Sequence, residues 1–112
     1  MIKSFTIARR MPSITNEEYL KYWKERHAPL AAQVIPGVRK YVQNHPIHIP
    51  GYEFEMDGIT EMWWDNVDAL QNYLNWRQTA EAKVLLEDEK KFSDGSRRMR
   101  FFAVEHVILD KL

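Results

Sequence analysis

His27 follows Leu20 and Trp23 and precedes Leu30 and Val34 at spacings of three and four, which put all five on one apolar face of a helix. A leucine would pack better there, and Pro29 removes an amide donor from the backbone beside it. A neutral imidazole in a half-dry cleft can act as a general base near neutral pH, which suits removal of a proton next to a carbonyl. The same position also suits a histidine that pins helix to sheet through one hydrogen bond, so both roles stay open. Glu61 is the second candidate. It lies between Ile59 and Trp63 on one face of the most strand-like stretch, where an unpaired carboxylate is costly to bury. Such a group would orient His27, or hold a raised pKa and work as an acid. A salt bridge to Lys or Arg on a neighbouring strand is its structural alternative. Asp57 and Glu105 are weaker alternatives by the same logic.

His45-Pro46-Ile47-His48 has H-x-x-H spacing, but two imidazoles are too few for a metal and the proline spoils helical presentation. We expect no metal and place His45 at a pocket mouth in contact with substrate. His106 reads as an edge-strand or interface residue. Trp23, Tyr41, Trp63, Trp64 and Phe92 form a heavy aromatic load. Where they line a cleft they favour a flat, apolar, aromatic or polyketide-like ligand, and otherwise they fill the core and a subunit interface. No Gly-rich phosphate loop, nucleophile elbow or nucleotide motif is present, and no cofactor is expected.

The elements that must position these residues follow from pattern. Ile2 to Arg9 reads as a first strand ended by Met11-Pro12. Thr15-Asn16-Glu17-Glu18 has the form of a capping box and opens the first helix, which must end by Pro36-Gly37, with a kink expected just after His27. Val38 to Asn44 is a second strand, residues 45–56 an irregular excursion, and Ile59 to Trp64 a third strand. Asp65-Asn66 caps a second helix carrying Val67, Leu70 and Leu74. Further helical turns run from Thr79 or Ala80 through Val84, Leu85 and Leu86 to Phe92, where Ser93-Asp94-Gly95-Ser96 breaks them. Met99 to Leu109 is the last strand. The order β-α-β-β-α-β is the ferredoxin-like α+β arrangement, a four-stranded antiparallel sheet with helices on one face. Phe and Trp on both parities of the last two strands predict that both sheet faces are buried, and a homodimer packed sheet to sheet is the economical solution.

Composition bounds the rest. The chain has 112 residues, 45% hydrophobic and 29% charged, with 16 basic against 16 acidic side chains and no cysteine. That is one domain, with too much apolar surface for disorder and no thiol for a disulfide scaffold or thiolate zinc site. A balanced charge argues against a sequence-independent grip on nucleic acid. The cluster Arg97, Arg98, Arg100 is short and reads as solvated. No apolar run approaches the roughly 20 residues of a membrane span, and no signal-peptide core is present, so a cytoplasmic location is expected.

The run Tyr22-Trp23-Lys24-Glu25-Arg26-His27-Ala28-Pro29-Leu30, then Pro36-Gly37 and Tyr41-Val42-Gln43-Asn44, resembles the EthD family of the dimeric α/β barrel superfamily. Asp57 to Asp65 looks like that family's third strand, and Glu89-Lys90-Lys91-Phe92 with Asp94 like the segment closing its second helical region. The excursion at 45–56 is longer and more proline-rich than the family pattern. The resemblance implies a homodimer, a dimeric α/β barrel, with a cleft between helices and sheet in each subunit. Fold neighbours include cofactor-free polyketide cyclases, muconolactone isomerases, oxygenases and haem proteins, so fold alone does not choose the chemistry.

The reading that joins these features is a cofactor-independent cyclase, isomerase or lyase of catabolism or secondary metabolism. In it His27 deprotonates a small hydrophobic or aromatic carbonyl compound and Glu61 returns the proton. A non-catalytic dimeric accessory protein that binds a hydrophobic metabolite or a partner enzyme is the alternative, with a small oxygenase, haem-dependent or not, as a third.

Overall fold

Two central strands carry the molecule. In the computed structural model, which describes residues 1–112, β1 (Ile2–Ala8), β2 (Lys40–Asn44), β3 (Gly58–Trp64) and β4 (Met99–Val104) form one antiparallel sheet. The strand order is β2-β3-β1-β4, the ferredoxin-like arrangement. Between the strands run α1 (Asn16–Tyr22), α2 (Ala28–Val34), α3 (Val67–Trp76) and α4 (Lys83–Glu89). No helix is long and apolar enough to cross a membrane.

Register decides what each face carries. Ser4 lies opposite both Met62 and Phe102, Thr6 opposite Thr60 and Arg100, and Tyr41 opposite Met62. With side chains alternating along a strand, these residues share the helix-covered face. There Met62 and Trp64 pack with Ala31, Ile35, Leu70, Tyr73 and Leu85, while Ala8, Tyr19, Trp23 and Phe92 form a second cluster. The opposite face carries Lys3, Phe5, Glu61, Trp63 and Phe101, and the Phe5 and Phe101 rings stack there at 4.5 Å. That face has no helix over it, and Phe101 remains 47% exposed.

Local chemistry sets the ends of the elements. Thr15 accepts from the Glu18 amide at 3.1 Å while the Glu18 carboxylate accepts from the Thr15 amide at 3.0 Å, completing the capping box. Asn66, rather than Asp65, caps α3 by accepting from the Ala69 amide at 2.8 Å. Three strands are shorter than expected, β1 by the single residue Arg9. β2 begins at Lys40, after a turn with Gly37 at φ 76°. β4 stops at Val104 instead of Leu109, because Val104 already pairs with Ile2 at the start of β1 and no strand remains to continue the ladder.

Pro29 perturbs the first helical run in a different way from the expected kink. Residues Trp23–His27 form a π-helical turn in which the Ala28 amide donates to the Trp23 carbonyl. Proline cannot donate to the carbonyl of Glu25, and the widened turn spreads that disruption over the residues before it. The Gln43 side chain of β2 also donates, from Nε2, to the Trp23 carbonyl at 2.9 Å, which ties the widened turn to the sheet.

Candidate functional site

The π-helical turn brings His27 to the wall of a cavity between helices and sheet. The cavity holds about 50 Å³ and is bordered by Trp23, Tyr41 and Phe92 as well as by polar groups of the strands. His27 is only 6% exposed, and its ring tilts over Phe92 with centroids 4.9 Å apart. Its Nδ1 lies 2.8 Å from Oδ2 of Asp88 on α4, and the Tyr22 hydroxyl donates to the other Asp88 oxygen at 2.5 Å. Burial pushes the Asp88 carboxyl up, but the bonds from Tyr22 and His27, with Lys91 nearby, outweigh it and hold the group below the usual carboxylate range. Asp88 is therefore the acceptor, Nδ1 carries a proton, and Nε2 has no hydrogen-bond partner in the protein.

Two tyrosines border the same space. Burial pushes the Tyr41 hydroxyl above its ordinary range, and Tyr19 likewise, so both stay protonated and can donate. Tyr41 also lines an open groove on the other side, together with Lys24, Gln43 and His45.

Arginines complete the cavity. Arg98 and Arg100 both border it, with Glu89 between helix and strand. Arg77 grips Glu89 through two bonds of 2.9 and 3.0 Å, and Arg98 approaches the same carboxylate at 3.6 Å. Burial pushes Glu89 up, yet Arg77 and Arg98 hold it ionised, below its ordinary value. The expected solvated cluster is thus corrected: Arg97 is exposed, whereas Arg98 and Arg100 turn inward, because Arg100 pairs with Thr6 on the helix-covered face.

Four of the candidate residues lie away from this cavity. Glu61 projects from the opposite face of the sheet, where it meets Lys3 at 2.7 Å and accepts from Asn44 at 2.9 Å. It cannot orient His27, since β3 places Met62, not Glu61, on the helix side. Trp63 is on that outer face too, between the ammonium groups of Lys3 and Lys40, at 4.5 and 4.7 Å from the ring centre. Trp64 is on the helix side but fully enclosed, donating to Ser4 Oγ at 3.0 Å and stacked on Tyr73, so it is a core residue with no open surface for a ligand. His45 stacks on Trp23 at 4.8 Å and donates from Nε2 to the side-chain Oε1 of Gln43 at 2.8 Å. Burial and the nearby Lys24 push its pKa down. It backs Trp23 and faces the open groove, not the cavity.

The other carboxylates have structural partners. Asp57 accepts from the Arg10 amide, the Asn16 side chain and Arg9, and so ties the end of β1 to α1. Glu105 pairs with Lys3 on the outer face. No three His, Asp or Glu side chains converge in a metal-binding group. Asp88, Arg98 and Arg100 went unrecognised in the sequence. A signal existed for each: Leu85, Asp88 and Phe92 share a helical face, and Arg98 and Arg100 share the parity of Phe102.

Comparison with known proteins agrees with this architecture. The model of the EthD domain matches residues 11–96. A crystal structure of an ethyl tert-butyl ether D (EthD) family protein from Bacillus halodurans superposes with a TM-score of 0.72 at 24% identity, covering 95% of this chain and 99% of that one. An EthD-like protein from Ralstonia eutropha gives 0.64 at 12% identity, over 98% and 94% of the two chains. A dimeric protein of unknown function with a ferredoxin-like fold from Bacteroides fragilis gives 0.61 at 18% identity, over 91% and 93%. No curated protein matches the chain.

Proposed function

The chain belongs to the EthD family, and for this member we propose a cofactor-independent proton-transfer enzyme in which His27 is the general base. The observation that carries the proposal is the buried pair of His27 and ionised Asp88 at the cavity wall, with Nε2 left free. In the reaction, Nε2 takes a proton from the carbon next to a carbonyl, and the C–H electron pair moves onto the carbonyl oxygen as an enolate. Asp88 stabilises the imidazolium that forms, and a protonated tyrosine, Tyr41 or Tyr19, donates to the enolate oxygen. Return of the proton to the same carbon, to a neighbouring one or to a leaving group gives exchange, isomerisation or elimination. Ring closure shares the same first step. Trp23 and Phe92 supply the apolar wall that suits a hydrophobic or aromatic carbonyl compound.

Histidine ring-proton NMR tests access to the site, with His27→Gln to assign the resonance. Small enols and aromatic carbonyl compounds should shift the His27 signals while leaving those of His48 and His106 in place. A His27 resonance indifferent to every such compound would contradict the proposal.

A second reading has its own observation. A cavity of about 50 Å³ admits little more than a few water molecules or one small functional group. In a non-catalytic accessory protein that space is incidental and His27 pins the π-helical turn to α4. Lost stability in His27→Gln, together with ligand binding at the wild-type protein without any turnover, would favour that reading.

We further propose a homodimer through the uncovered sheet face, closing a dimeric α/β barrel. Phe5, Trp63 and Phe101 supply apolar surface there, and Lys3 bridges Glu61 and Glu105. The Bacteroides fragilis protein of the same fold is dimeric.

A further inference from the structure

Two guanidinium groups hold one carboxylate beside the cavity, and a third borders the same space. Arg77 and Arg98 both lie on Glu89, whereas Arg100 has no acidic partner. Its Nε donates to Thr6 Oγ1 at 3.3 Å, and its terminal nitrogens meet no acceptor from the protein. Burial, and then the positive charges of Arg77 and Arg98, push Arg100 below its ordinary pKa. Its free donors border the cavity and are available to an anion. The Ser93 hydroxyl supplies an independent sign. Ser93 is 6% exposed, it borders the same cavity, and its Oγ has no hydrogen-bond partner. Buried hydroxyls are rarely left unpaired, so this one calls for an acceptor.

We infer that the cavity binds the carboxylate group of its ligand, an organic acid held by Arg100 and Arg98 with Ser93 as an additional donor. Arginine is suited to this because its planar fork donates two parallel bonds to a carboxylate. A space of about 50 Å³ is of the order of one such group, and Trp23, Phe92 and His27 border the same space. The inference rests on the reading of this cavity as the ligand site and narrows the substrate class to carbonyl compounds that carry an acid group.

Binding of acetate, compared with its neutral isostere acetamide, tests the assignment without any turnover. Titration calorimetry, with the side-chain Nε–H resonances of Arg98 and Arg100 followed by NMR, provides the readout. Acetate should bind at least about tenfold more tightly than acetamide, move both arginine signals and weaken as salt is added. Arg100→Gln should abolish that preference. Arg98→Gln, should the first variant fail to fold, should reduce it. Equal binding of acetate and acetamide to the wild-type protein would overturn the inference, and so would a preference that survives both variants. His27→Gln keeps the two apart. An acetate preference that persists in a His27→Gln protein with undiminished proton-transfer activity would uphold the anion site and remove the base. No preference alongside an inactive His27→Gln protein would do the reverse.

Discussion

Asp88 reaches His27 across 61 positions of sequence, with Oδ2 at 2.8 Å from Nδ1, and Tyr22 occupies its other oxygen. The ring of a base must be held in one tautomer, and here the carboxylate holds it. An Asp88→Asn protein keeps the shape but loses the charge that stabilises imidazolium. Its kcat should fall by about 10²-fold or more while KM changes little. Unchanged kcat with a loss of thermal stability would identify Asp88 as a structural pin.

Acid stability should follow the same residues. Asp88 and Glu89 both have folded pKa values below their ordinary ones, so the unfolded chain binds more protons at low pH. Their stabilisation is complete above the ordinary carboxylate range, roughly pH 4–5, and is lost as pH falls through the lower folded values. Urea unfolding of the wild-type protein should therefore show a flat midpoint from about pH 7 to 5 and a steep fall below about 4. Asp88→Asn should show a shallower fall. Parallel acid limbs in the two proteins would contradict the ionised pair.

Gly58 gives Trp23 its place. A Cβ at that position would stand 2.5 Å from Cζ3 and 2.7 Å from Cη2 of the indole, closer than any packed carbon tolerates. Gly58→Ala should displace Trp23, destabilise the fold by about 1–3 kcal/mol and alter tryptophan fluorescence. Stability within about 0.5 kcal/mol of wild type would show that the ring can move freely.

The uncovered sheet face should control assembly. Phe101 stacks on Phe5 there, and a charge at that point would be buried in a sheet-to-sheet dimer. Light scattering should report a dimer for the wild-type protein and a folded monomer for Phe101→Glu. A wild-type monomer at micromolar concentration would contradict the proposed interface.

The sequence announced local features well and partner choices poorly. Thr15 and Glu18 named the start of α1 because a capping box is a contact between near neighbours, and the order of strands and helices led to the sheet. His27, Trp23, Tyr41 and Phe92 all border the cavity, since helical spacing and strand alternation say which residues point the same way. Glu61 shows where that reasoning stops. Alternation groups Glu61 with Ile59 and Trp63 but does not reveal which face of β3 the helices cover. Nor does it bring α4 to α1, so the true partner of His27 emerged only from packing. Arg98 and Arg100 looked like surface charges because three arginines within four residues usually are. One strand register, Arg100 beside Thr6, turns them inward.

Deuterium exchange at carbon tests the central claim most directly. A panel of keto acids and 1,3-dicarbonyl acids would be incubated in D₂O with wild-type and His27→Gln protein, and label at the carbon next to the carbonyl followed by NMR. At least one compound should exchange about 10²–10⁴-fold faster with the wild-type protein than with the variant. Equal rates for both proteins with every compound would contradict His27 as the base.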